Sequence, residues 1–518
     1  MHNPFTDTQM SRPQESRFDL SHDIKTTFDM GKLIPTMLLE CMPGDNWSIQ
    51  IENFGRMQPL IAPPMHHVIW ITDLYFIPLR ILWANFQKFI AGEGDHLWPH
   101  MDLPEIEVGD LGDYLGLPVG YIEDTYTEQV SVLPIAAYLK IYDDWYRDQN
   151  LAEEVFIEVV DGSNPDYVPA TLASPQRRAW MHDYFTSALP FAQKGDAVTL
   201  PVTDEGQLTV ERLDNVGSLR PVFRRVDTNV NSPVGSVVTT ATAIRTDAAS
   251  IDLYYDPMGT MYVDVNDQAV TINSFRRAIR LQEFLERDAR GGTRYIEVVK
   301  SHFGVTSSDA RFQRPEFIGR AKQSMVISEV LSQAETLNST NEIQTVVGDM
   351  AGHGISVGGS RNFRFFCEEH GYIMAITNVQ PTTAYGQGID KHWLRKDRLD
   401  YPWPTFAALG EQEIQIRELY VEGSVDGDKL FGYIPRYSEM RFQNSKVTGD
   451  LRIGQALDYW AWTREFETEP LLNQEFINCV PRTDMFAVDS PDARHIIAHM
   501  IYNVTVDRKL PKHGIPTI

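Results

Sequence analysis

Apolar runs along the chain predict a fold that is rich in β-strands. Val68–Thr72 and Leu74–Ile77 form a nearly continuous apolar stretch that stops at Pro78. A run of this length, rich in β-branched and aromatic residues, is typical of a strand that is buried on both faces. The charge of Asp73, and further charges beyond Pro78, make the stretch too polar for a membrane span.

Two other segments have the spacing of helices. Apolar side chains from Ile135 to Tyr146 fall on one helical face, and Pro134 is suited to the first turn. A second helix is predicted after Asn273-Ser274, where either residue can cap, and Gly291-Gly292 should end it.

Residues 196–272 differ in composition from the sequence around them. The segment has no Lys, His, Cys or Trp, and it is rich in Thr, Val, Asp and Asn. Turn residues at Asp256–Gly259 separate two β-prone runs, Ile251–Tyr255 and Thr260–Val265, which predicts a hairpin. The segment is therefore interpreted as a β-rich excursion inserted between core elements.

Composition and charge narrow the class of protein. The chain has 518 residues, of which 42% are hydrophobic and 23% charged, so wholesale disorder is excluded. A net charge of −25 argues against a simple nonspecific nucleic-acid binder. Three widely separated cysteines form no CxxC pair, and the first thirty residues contain no apolar signal core. We expect a soluble protein that is made and folded in a cytoplasm.

Short catalytic motifs give only weak signals. Gly354–Gly358 matches the G-x-S-x-G pattern around Ser356, but it is followed by a predicted loop and strand instead of a helix. The glycines of this segment, Gly352, Gly354, Gly358 and Gly359, predict a structural loop with positive φ angles. A serine hydrolase that uses Ser356 is thus the alternative function. His495 and His499 have the i, i+4 spacing of a metal pair but lack the catalytic Glu. No phosphate-binding, dinucleotide-binding or calcium-loop motif is found, so no catalytic residue, metal or cofactor is assigned.

Two basic clusters could meet phosphates. One is Lys391–Arg398, in which Trp393 could stack on a base, and the other is the tail Arg508–His513. The open alternative is an exposed basic loop and a frayed terminus. The candidate DNA-facing residues are Arg508, Lys509, Lys512, Lys391, Arg395 and Lys396.

Longer blocks, spread over nearly the whole chain, are far more specific than these motifs. They include FDLSHDIKTTFDMGKLIP (18–35), PLIAPPMHHV (59–68), HDYFTSALPFAQKG (182–195), LERDARGGTRYIEVVKSHFGV (285–305), YPWPTFAALGEQ (401–412) and FGYIPRYSEMR (431–441). In this order the blocks resemble the major capsid protein of the microviruses, small single-stranded-DNA bacteriophages, and most of all the gokushovirus branch.

The resemblance implies a mainly β fold, an eight-stranded viral jelly roll with long inter-strand insertions that contain helices and a β-rich protrusion. It also implies a single capsid domain over residues 1–518. Residues 196–272 occupy the place of the family's most variable insertion, which in relatives builds protrusions at the threefold axes. A host-attachment loop is therefore expected at Asp256, Pro257, Met258 and Gly259, while the alternative is that the insertion only seals subunit contacts.

The resemblance further implies a non-enzymatic shell protein that assembles in the host cytoplasm. Copies of the chain are expected to form pentamers and then a T=1 icosahedral virion around a circular single-stranded DNA genome. The other expected partners are a small basic DNA-binding protein, an internal scaffolding protein, a DNA pilot protein and a host surface receptor. No cofactor and no membrane insertion are expected.

Overall fold

The computed structural model describes residues 15–121, 127–196, 198, 272–333, 336–337, 343–345, 348, 350–488, 490 and 493–512, and six short strands between residues 210 and 263. The chain forms two compact units. The first is Met1–Lys194 with Arg287–Ile518, and the second is Gly195–Glu286. The predicted insertion, residues 196–272, falls within the second unit.

Ten antiparallel strands form the main sheet of the first unit. In chain order they are β1 (Ser16–Asp19), β2 (His22–Phe28), β3 (Ile34–Cys41), β4 (Asn46–Met57), β5 (Val68–Pro78), β6 (Glu316–Leu331), β7 (Met350–Gly359), β8 (Phe363–Phe366), β9 (Gly371–Pro381) and β10 (Ile496–Arg508). Hydrogen-bonded neighbours follow the order β1-β10-β4-β7-β6-β5-β9-β3, while β2 also pairs with β10 and β8 with β4.

The long strand β6 joins the two halves of this sheet. Its first part, Glu316–Met325, pairs with β5, and its last part, Val326–Leu331, pairs with β7. The register shifts between Phe317 and Gly319, as in a β-bulge. Because one strand changes partners along its length, the sheet curls and its two halves share one core.

Alternation along the strands fills that core. In β4, Trp47, Ile49 and Ile51 are buried, whereas Ser48 and Glu52 alternate with them and point away. Strands from both halves contribute to the same apolar cluster. It contains Phe28, Ile34, Trp47, Ile49, Trp70, Phe76, Met325, Ile373, Met500, Tyr502 and Val504.

The predicted double burial of β5 is confirmed. Every residue from Val68 to Pro78 is buried. The inward side chains join the main core, and the outward Tyr75 and Ile77 pack with the helix Leu133–Ile141. The predicted helical stripe is also confirmed, with Pro134 in the first turn, although the α-helix ends at Ile141 and continues as a π-helical turn, Tyr142–Tyr146.

The remaining elements are short, with one exception. The long helix Ile272–Gly291 confirms the second predicted helix but begins before Asn273. The other α-helices are Leu79–Leu82, Phe86–Ala91, Leu111–Tyr114, Tyr167–Leu172, Tyr295–Phe303 and Gln474–Ile477. Small two-stranded sheets pair His100–Asp102 with Gln129–Ser131, Thr336–Leu337 with Ile343–Thr345, and Glu411–Gln415 with Leu430–Pro435. No helix in the described ranges is both long and apolar enough to cross a membrane.

The second unit contains short antiparallel strands, as predicted, but the predicted hairpin is wrong. Asp252–Tyr255 pairs with Phe223–Arg225 and Ile244–Thr246, whereas Met261–Val263 pairs with Val210–Arg212. Val237–Thr239 completes the four-stranded sheet. The local pattern of residues predicts that these segments are extended, but it does not determine which strands pair. The attachment loop predicted at Asp256, Pro257, Met258 and Gly259 lies outside the described residues.

The glycine-rich segment around Ser356 is the strand β7, and the prediction of a loop with positive φ angles is wrong there. None of the β7 glycines has a positive φ. Glycine is required because other groups approach closely. A Cβ at Gly352 would lie 2.5 Å from the Ala62 carbonyl oxygen, where Gly352 also exchanges backbone hydrogen bonds with Leu60.

We therefore predict that Gly352→Ala destabilises the fold by about 1–3 kcal/mol, because backbone atoms must move to admit the methyl group. Gly359→Ala is the matched control in the same strand, since its Cβ would meet only ordinary contacts at 3.7 Å. Thermal unfolding of both variants measures the difference. Equal stabilities would show that the close approach at Leu60–Pro63 does not constrain the strand.

Candidate functional site

Ser356 lacks the surroundings of a catalytic nucleophile. It lies in the middle of β7 and is 1% exposed, instead of standing on a turn between a strand and a helix. Gln323 Nε2 donates a hydrogen bond to Ser356 Oγ at 2.7 Å, and Ser356 Oγ donates to the Ser324 carbonyl at 3.4 Å. No histidine of the described chain is hydrogen-bonded to it, so the G-x-S-x-G match is part of a packed sheet.

Neither C-terminal histidine lies on a helix, because His499 is in β10 and His495 directly precedes that strand, and each contacts its own aspartate. His495 Nδ1 lies 3.0 Å from Asp29 Oδ1, and His499 Nε2 lies 2.9 Å from Asp23 Oδ2. No group of three potential metal ligands occurs among the described residues. The pair therefore gives no support to a shared metal site.

Asp29 is the centre of the first of these contacts. Burial alone would raise its pKa, but the hydrogen bond from His495 and the charges of Lys32 and Arg494 lower the pKa well below its usual range. Asp29 therefore remains ionised at neutral pH. These contacts join the start of β10 to the turn between β2 and β3.

The basic cluster Lys391–Arg398 is partly engaged with carboxylates. Lys391 Nζ lies 2.8 Å from Glu418 Oε1, and Arg395 Nη2 lies 3.4 Å from Glu439 Oε1. Lys396 has no ion pair with a described residue. Trp393 belongs to a 3-10 turn, Lys391–Trp393, and is 75% exposed.

A cavity of about 640 Å³ opens beside this cluster. Its walls include Lys391, Arg395 and Lys396 together with Arg436 and Glu411. The side chain of Arg395 is only 6% exposed, and its Nε has no hydrogen-bond partner; Arg436 Nε is also buried without one. Both Nε atoms are inaccessible to solvent, so a ligand in the cavity would not reach them, and acidic residues line the cavity as well.

The C-terminal basic cluster likewise contains one residue that is paired with a carboxylate and two that are not. Arg508 is the last residue of β10, and its guanidinium binds both carboxylate oxygens of Asp45, which is buried, and the Glu40 carbonyl. Lys509 and Lys512 have no ion pair with a described residue. The structure thus places the six candidate DNA-facing residues in two separate groups. It pairs Arg508 with a buried carboxylate of the same chain. A DNA-facing role for all six residues stays a prediction.

The fold also contains an ion pair with a fully buried carboxylate that the sequence motifs did not indicate. Asp73, in the middle of β5, is 0% exposed and binds Arg320 through two bonds of 2.6 and 2.9 Å. Tyr146 donates a third hydrogen bond at 2.8 Å. A charge inside an apolar strand was the available signal, but its partners lie far away in the sequence.

Comparison with known proteins places the chain among viral shell proteins. Residues 6–518 match the family described as "Capsid protein (F protein)". The chain belongs to this phage capsid family, and it is a structural component of the virion, not an enzyme.

Individual relatives show which branch of this family the chain resembles. The chain is 33% identical to capsid protein VP1 of Bdellovibrio phage phiMH2K, over 97% of this chain and 95% of that protein. It is 32% identical to VP1 of Chlamydia phage 1, over 100% and 98% of the two chains, and 28% identical to VP1 of Spiroplasma virus 4, over 97% and 95%. The expectation of a capsid protein of gokushovirus-like microviruses is confirmed.

We predict that Arg508→Ala lowers the free energy of unfolding by about 3–5 kcal/mol, because it leaves the buried Asp45 carboxylate without its cation. Lys512→Ala, four residues further on and exposed, should change stability by less than about 0.5 kcal/mol. Denaturant unfolding of the two variants tests this contrast. A stable Arg508→Ala protein would mean that water or another group replaces the guanidinium.

Proposed function

We propose that this chain builds a T=1 icosahedral shell, through pentamers, around a circular single-stranded DNA genome. The observation that carries the proposal is the family match over residues 6–518, together with full-length similarity to three VP1 capsid proteins. The small basic protein, the internal scaffolding protein and the DNA pilot protein expected for this family are proposed as assembly partners.

We further propose that the curled sheet is the eight-stranded viral jelly roll. Strand order supports this assignment, because β2-β10-β4-β7 and β3-β9-β5-β6 form two sets of four antiparallel neighbours. Both sets send side chains into one core cluster. Such double-sheet packing leaves the loops between strands free to carry insertions. The chain from Leu79 to Pro315 is the longest of these connections.

The genome is proposed to lie against the basic segments. Support comes from Lys396, Lys509 and Lys512, which have no ion partner in the described chain, and from the exposed indole of Trp393. Lysines contribute phosphate contacts that release counterions, and exposed aromatic rings stack on bases.

Host attachment is proposed for the insertion, residues 196–272, and within it for the loop residues Asp256, Pro257, Met258 and Gly259. Its distinct composition and its inclusion in a separate compact unit, Gly195–Glu286, support this role. Exposed loops on a rigid scaffold commonly carry recognition, and symmetry-related copies add avidity. Sealing of subunit contacts is the second candidate role.

To test assembly and attachment together, we would delete residues 256–259 from the phage. Electron microscopy should show intact shells for both the parent and the deletion, while adsorption of the deletion to its host should fall at least tenfold because multivalent contact is lost. Failure to form shells would favour the sealing role. Normal adsorption would exclude attachment through residues 256–259, and absence of shells in the parent would contradict the capsid proposal.

For the genome contact, we predict that changing Lys396, Lys509 and Lys512 together to Ala lowers the yield of DNA-filled particles while empty shells still form. The reason is the loss of three phosphate contacts per chain. The ratio of filled to empty particles in a density gradient measures the effect. The matched control changes Lys322, an exposed lysine on β6, to Ala. If both proteins give the parental ratio, these lysines do not bind the genome.

A further inference from the structure

The helix Tyr295–Phe303 turns an apolar face to solvent. Tyr295 is 71% exposed and Phe303 is 76% exposed. These two rings and Lys300 lie within an arc of about 140° around the helix axis. Val305, just beyond the helix, is also exposed. Contiguous exposed apolar side chains with a polar rim commonly mark an interaction surface.

Two cations border this apolar face. Lys300 lies on the helix, and Arg311 precedes Phe312, whose ring contacts the Tyr295 ring with 5.5 Å between centroids. Both cations are exposed, and neither forms an ion pair with a residue that the structure describes. The nearby carboxylates already have arginine partners: Glu297 with Arg294, and Asp309 with Arg314. The basic surface is defined here as Tyr295, Lys300, Phe303, Val305 and Arg311.

A second surface of the first unit has the opposite charge. The strand His100–Asp102 pairs with Gln129–Ser131, and the Gly120 N–H donates a hydrogen bond to the Ile106 carbonyl at 3.0 Å. These contacts gather four exposed carboxylates, which have no ion partner within the described chain, and two exposed valines. The acidic surface is defined as Asp102, Glu105, Glu107, Val108, Val119 and Glu128.

The helical segment 133–146 separates the two surfaces within one chain. At its start, the Leu133 N–H donates to Ser131 Oγ at 3.3 Å, beside the acidic surface. Near its end, the Asp143 carbonyl accepts a hydrogen bond of 2.9 Å from Arg294, the residue that caps the helix of the basic surface. At 1.5 Å per residue the segment spans about 20 Å. The two surfaces therefore cannot bind each other within the same copy.

We propose that the acidic surface of one copy binds the basic surface of the next copy, head to tail. The proposal rests on the proposed assembly of the shell through pentamers, and it names the residues of one contact between neighbouring copies. Opposite charge on two surfaces of the same chain is the observation that selects a second copy as the partner.

Each surface supplies what the other lacks. The rings of Tyr295 and Phe303 can cover Val108 and Val119, while cations and carboxylates meet at the rim, where opposite charges steer the encounter and fix the register. Because the two surfaces are different patches of one chain, the contact is heterologous. Heterologous contacts generate closed rings when the rotation between copies closes, as a pentamer requires.

The test exchanges the charges of the two surfaces in the phage. The acidic-surface variant carries Glu105→Lys with Glu107→Lys. The basic-surface variant carries Lys300→Glu with Arg311→Glu. Each variant places like charges across the contact, so the particle yield in a density gradient should fall at least tenfold. A variant with all four changes restores opposite charges and should return the yield to within about threefold of the parent.

The matched control is Lys322→Glu with Glu329→Lys, which exchanges two exposed charges of β6 outside both surfaces and should assemble like the parent. Thermal unfolding of the isolated chains checks that each variant is folded. Parental yield in either two-residue variant, or no recovery in the folded four-residue variant, would overturn the contact but leave the capsid proposal standing. A parent that forms no particles would contradict the capsid proposal itself.

A second measurement needs no variant. A carbodiimide joins a lysine amine to a carboxylate that is in direct contact with it. In parent particles, peptide mapping should show Lys300 linked to a carboxylate of the acidic surface. The unassembled chain should lack this link, because the segment 133–146 keeps the surfaces apart. Particles without the link, or an unassembled chain that contains it, would overturn the proposal.

Discussion

Burial of β5 on both faces is the constraint on which the rest of the first unit depends. The strand lies between β6 and β9, and its middle residue, Asp73, has no access to water. An unpaired carboxylate in such a place would cost several kcal/mol. Arg320 on β6 and Tyr146 supply its partners. The connection that leaves β5 must therefore return across the outer face before β6 begins.

The π-helical turn Tyr142–Tyr146 is part of this solution. A π turn carries one more residue than an α turn, and this rotates the side chains that follow it. Here the turn ends on Tyr146, whose hydroxyl reaches Asp73, while Trp145 packs on Phe317 of β6. The helix that covers β5 thus also completes the polar contacts of the strand beneath it.

Local patterns predicted the parts of the fold that depend on local physics. The double burial of β5 and the helix after Pro134 follow from periodicity, and both are confirmed. Partner choice does not follow from periodicity, so the strand Asp252–Tyr255 was assigned to the wrong neighbour. The same limit applies to charge. The sequence identifies Arg508 as basic, but only the fold shows that Asp45 is buried against it.

The position of β10 in the sheet has a consequence for how the protein is made. β10 lies between β4 and the N-terminal strands β1 and β2, yet it is synthesised after everything between Met57 and Ile496. Until the ribosome has delivered it, β4 has an unpaired edge and β2 has no neighbour in the sheet. Such edges are templates for pairing with other chains. In an infected cell that makes many copies at once, nascent chains must be kept apart until this strand is in place.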